Sequence, residues 1–219
     1  MGALLLWLGP VLEIGVLVGL VRRGRLGRAW ILPVFLLAVL GADVIVAISP
    51  SQNTWRFWLL NEALHAVLLL ALVIEVAWRM MRHLPGPALA LSLLLLVLTW
   101  ATGLVLREAP REHVLFEVIP RLLASTAGLY IGTFLVQACF RIPVDPLHRA
   151  VLLGLSPWML IYAITWGRVT SVRALAVADT VNPLMFVFTL VVLLEAAWRC
   201  EGEPPVPRRV WRFLWPWRR

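Results

Sequence analysis

Apolar runs of roughly 20 residues recur along the chain, separated by short pieces rich in Arg, Pro or Gly, and such runs read as transmembrane helices. The first spans about Leu4 to Val21. The second spans about Ala29 to Ile48 and stops at the turn-rich Ser49-Pro50-Ser51-Gln52-Asn53. The third, about Trp55 to Met80, is broken by Leu84-Pro85-Gly86-Pro87. A fourth covers about Ala88 to Leu106, a fifth ends at Phe140, a sixth covers about Ala150 to Trp166, and a seventh ends near Arg199. Asn182-Pro183 reads as the N-cap and first-turn proline of the seventh. Between the fourth and fifth, Arg107 to Arg121 is too polar to insert, and its His113–Ile119 piece predicts a short amphipathic helix on the outer surface.

The pattern therefore predicts an all-α integral membrane protein of seven transmembrane helices. Composition agrees, since 61% of residues are hydrophobic and 15% charged, against about 25% charged in a soluble domain. All twenty basic residues are arginine. Without lysine, a retinal Schiff base is excluded, and no other cofactor is expected. Arginines alternate between loops, fourteen on one predicted side and six on the other. Positive charge marks the cytoplasmic face, so the N-terminus is expected outside and the C-terminus in the cytoplasm, as a multi-pass protein of the bacterial inner membrane. No basic stretch precedes the first helix, and Arg22, Arg23, Arg25 and Arg28 follow it, which is unlike a cleaved signal peptide. Cys139 and Cys200 fall at inner helix ends, where thiols stay reduced.

Glu75-Val76-Ala77-Trp78-Arg79, at the end of the third helix, is echoed by Glu195-Ala196-Ala197-Trp198-Arg199 at the end of the seventh. The simplest account is a three-helix unit repeated in parallel (about 4–80 and about 119–199), with a linker helix (about 88–106) restoring direction. A 3+1+3 order resembles the layout of SWEET-type carriers and of microbial rhodopsins, although the chain carries no Pro-Gln motif and no lysine. Layout does not set function.

Away from the span ends and the Glu-x-Ala-Trp-Arg motifs, four ionisable residues fall inside predicted spans: Glu13, Asp43, Glu62 and His65. Each charge facing lipid would cost about 2.5–3.5 kcal/mol, so all are expected to face the bundle interior, as one ligand- or proton-binding site among helices 1, 2 and 3 open to the outside. Mutual satisfaction explains such a cluster equally well, because buried polar groups pair whatever their role. Glu62-x-x-His65 sets two potential metal ligands on one helix face, but the repeat has Asn182 and Met185 at the matching positions, so a second half-site is missing. Beyond Glu62 and His65 there is neither a nucleophile–base pair nor a full metal site, and an enzyme is not expected.

The inner motif residues Glu75, Trp78, Arg79, Glu195, Trp198 and Arg199 read as interface anchors, with each Glu and Arg spaced i,i+4 in the favourable order. Tyr130, Gln137, Ser156, Tyr162, Thr165 and Thr189 serve equally as interhelical glue or as a solute-lining surface. Residues 200–219 interleave Arg with Trp and Phe, which suits anionic lipid headgroups rather than nucleic acid. The expected function is a solute-binding or sensing membrane module, which would need a protein partner on its cytoplasmic face. The alternative is a proton-coupled carrier of small solutes.

Overall fold

The computed structural model describes residues 2–81, 114–140, 142, 144–168 and 172–199. They form six α-helices: α1 (Gly2–Arg22), α2 (Ile31–Ile48), α3 (Trp55–Met81), α4 (Val114–Phe140), α5 (Pro146–Arg168) and α6 (Val172–Trp198). The linker helix predicted over about 88–106 and the tail 200–219 lie outside the described residues.

α1 ends in a Schellman turn. Gly24 takes φ 61°, its N–H bonds the Val21 carbonyl at 3.0 Å, and the Arg25 N–H bonds that of Leu20 at 2.9 Å. α5 starts earlier than the apolar pattern predicts. Asp145 Oδ1 accepts the Leu147 N–H at 2.8 Å, an aspartate N-cap with Pro146 at the first helical position. Two predicted boundaries are corrected. Asn182-Pro183 lies inside α6 rather than at its start, and Val114 to Ile119 is the first part of α4 rather than a separate surface helix. In both cases the helix runs through a proline, giving up one backbone hydrogen bond.

The helices pack in chain order, and α6 returns onto α1 to close the circuit. Directions follow from which residues meet. Trp30 and Ile31 meet Glu75, and Phe35 meets His65, so α2 and α3 are antiparallel. Tyr130 donates to the Leu69 carbonyl at 3.1 Å, while Ala77 and Met80 pack with Val136 and Ile142. α3 and α4 are therefore parallel. Gly15 faces Leu194 and Gly19 faces Trp198, so α1 and α6 are parallel as well.

The Gly15–Gly19 pair is a small-xxx-small approach surface. A Cβ on Gly19 would stand 2.7 Å from Trp198 Nε1, and that indole donates to the Gly15 carbonyl at 3.0 Å. One core runs through all six helices, with Leu20, Leu36, Leu72, Leu123, Leu155 and Leu190 buried.

The outside is as telling as the core. Trp7, Val11, Ile14, Val18 and Val21 stay exposed along α1, as do Leu60, Leu64 and Val67 along α3 and Leu184, Phe188 and Val191 along α6. A helix apolar on both faces belongs in lipid. Among the described residues, three helical stretches, Ile31–Ile48, Trp55–Met80 and Thr180–Trp198, are long and apolar enough to cross a bilayer. This is an all-helical membrane protein.

Candidate functional site

The two ends of the bundle are built differently. At the end where α1 turns into α2, polar side chains from other helices satisfy the helix termini. α2 opens on Trp30-Ile31-Leu32-Pro33, which offers no side-chain cap of its own. Glu75 of α3 replaces it, accepting the Trp30 and Ile31 N–H groups at 3.2 and 3.1 Å. Arg79 pairs with Glu75 at 2.7 Å and donates to the Gly27 carbonyl at 3.0 Å.

Arg25, although predicted in a loop, is buried. It donates to the Ala196 carbonyl at 2.5 Å and to that of Arg199, placing a cation at the C-terminus of α6. Arg28 pairs with Asp145 at 3.1 Å, and His148 is buried nearby. These contacts tie the helix ends together, beside a groove of about 630 Å³ lined by Trp30, Ile31, Glu75, Trp78 and Arg79.

The repeat motif is not used twice in the same way. Glu195 bonds Arg199, but its side chain is 59% exposed where that of Glu75 is 5% exposed. Asp145 caps α5 locally, so no distant carboxylate is called on there.

At the opposite end the helices part around a cavity of about 300 Å³. α2 contributes Phe35, Val39 and Asp43, and α3 contributes Glu62 and His65. From the second half come Trp158 and Tyr162 of α5 and Asn182 and Phe186 of α6. Tyr162 donates its hydroxyl to Glu62 Oε2 at 2.5 Å. The His65 ring meets Phe35 edge-on at 6.0 Å, and its buried Nε2 has no hydrogen-bond partner among the described residues. Trp158 lies 5.7 Å from Tyr162 and 5.1 Å from Phe186, ring centre to ring centre.

Three of the four predicted site residues thus share one cavity, and the fourth does not line it. Glu13 is fully buried on α1, within electrostatic reach of Asp43. Neither of its carboxyl oxygens meets a hydrogen-bond partner among the described residues. The site expected among the first three helices is instead lined by α2 to α6, because α1 packs against α2 and α6 on the far side. Among the described residues, no group of three or more His, Cys, Asp or Glu side chains is placed to hold a metal ion.

Sequence reasoning missed Trp158 and Phe186, which look like ordinary core aromatics. It also misread Asn182 as a cap. The recurring motif held a signal for Asn182, since that residue aligns with Glu62 when the two Glu-x-Ala-Trp-Arg segments are superposed. Of the uncharged polar residues, Tyr130 and Thr189 act as glue, Thr189 donating to the Gly154 carbonyl at 2.8 Å, while Tyr162 lines the cavity. The chain matches no protein-family model, no curated protein and no solved structure.

Proposed function

We propose that the chain is a solute-binding module of the bacterial inner membrane, with seven spans in 3+1+3 order. Its solute enters from the outside. The cavity carries this reading: it draws its carboxyls and its histidine from one half of the chain and its aromatic rings mainly from the other, at the bundle end opposite the helix caps. The parallel α3–α4 contact supports the repeat, because the α6–α1 contact is its counterpart when the halves are exchanged. The arginine bias assigns the capped end to the cytoplasm. A periplasm-active reporter fused after Arg219 is expected to be silent, and one inserted within 107–111 to be active. The reverse pattern would overturn this orientation.

Binding is tested on the purified full chain with a panel of cationic, anionic, zwitterionic and neutral small solutes. At least one is expected to raise the Tm of the wild type and to lose that effect in Val39→Phe, which fills the cavity. Solute responses equal in the two proteins would overturn the reading. The second reading, a proton-coupled carrier, draws on Glu13 beside Asp43 and on the participation of both halves. Uptake into proteoliposomes that follows an imposed proton gradient would select it over a module without flux.

A further inference from the structure

Resting on the solute-binding reading above, we infer that the cavity selects a small organic cation, an ammonium group held by Asp43 and Glu62 and flanked by the rings of Trp158, Tyr162 and Phe186. Charge is the first ground. Two carboxylates line the cavity, with Glu13 behind Asp43, and among the described residues its lining contains no arginine. Among the described residues an anion would meet no guanidinium there, only the His65 imidazole beside two carboxyls. With a neutral solute the two carboxyls would either stay ionised without a counter-charge in a low-dielectric site or have to take up protons, and both cost free energy. A solute that brings its own positive charge removes that cost.

The rings are the second ground. A hydrated inorganic cation wants oxygen ligands on most sides, whereas most of this wall is aromatic or aliphatic. Aromatic side chains beside carboxylates are the chemistry that recognises alkylammonium groups, through the attraction of a cation to the ring quadrupole. Tyr162 joins the two elements, because its hydroxyl holds Glu62 in place while its ring sits against Trp158. At about 300 Å³ the cavity stands at the small end of ligand sites, which suits a compact ammonium compound rather than a peptide.

The test uses the full chain in detergent with tetramethylammonium, choline, and the neutral carbon isostere of choline, dimethylbutanol. At about a hundredfold excess over Kd, a bound cation is expected to raise Tm by about 5–10 °C. The neutral isostere is expected to shift it by less than a third as much. Glu62→Gln keeps an acceptor for the Tyr162 hydroxyl and removes the charge, and it is expected to weaken cation binding at least tenfold. Trp158→Leu is expected to weaken it by a smaller factor. Equal responses to choline and dimethylbutanol, or no response to either cation, would overturn the cation assignment. The binding module itself would still stand if another solute in the panel lost its effect in Val39→Phe.

Discussion

Glu75→Ala is expected to destabilise the protein by about 3–5 kcal/mol, the range for removing one partner of a buried ion pair. Two losses combine. The Trp30 and Ile31 N–H groups at the start of α2 lose their acceptor, in a helix with no cap of its own. Arg79, whose side chain is only 23% exposed, keeps its charge and loses its carboxylate. Glu75→Gln should lie between wild type and alanine, since an amide oxygen still accepts an N–H but does not neutralise Arg79.

The second copy of the motif supplies the control. Glu195→Ala removes the same residue from the same Glu-x-Ala-Trp-Arg sequence, but from an exposed i,i+4 pair. Such a pair contributes about 0.3–0.5 kcal/mol. Unfolding of both variants in a denaturing detergent titration measures the difference. Equal losses at the two sites would remove the capping role of Glu75.

Glu13→Leu is expected to act in the opposite direction and to stabilise the fold by about 1–3 kcal/mol, the cost of a buried polar group left without a partner. Glu13 is fully buried, neither carboxyl oxygen meets a partner among the described residues, and Asp43 is a like-charged neighbour. Leucine is close in volume and packs without a polar atom. A residue whose removal stabilises the molecule is kept for something other than folding, which fits its place behind the cavity. The same denaturing titration reads the effect. A loss of stability of that size would show that Glu13 has a structural partner and would take it out of the functional site.

Helix positions were legible where the structure describes them: the predicted spans over Leu4–Val21, Ala29–Ile48 and Trp55–Met80 fall within a few residues of α1, α2 and α3. Boundaries failed where a single residue type carries two meanings. Asn182-Pro183 has the chemistry of a helix start, yet packing of α6 against α1 and α5 on both sides sustains the helix through it. Asp145-Pro146 has the same chemistry and is a true start. Local sequence cannot separate the two, because the energy that decides comes from the neighbouring helices.

The sequence by itself determined the membrane class, the helical fold and the need to hide Glu13, Asp43, Glu62 and His65 from lipid. All of these follow from how each residue type partitions between water and hydrocarbon, which needs no knowledge of neighbours. The tertiary structure decided which of those groups meet. It turned Glu62 toward Tyr162, a hundred residues away, left Glu13 outside the cavity, and gave two copies of one motif different roles, Glu75 capping α2 while Glu195 lies exposed. Hydrogen bonds and ion pairs act over a few ångströms. The order in which helices pack around the bundle therefore sets their partners, and spacing along the chain does not contain it.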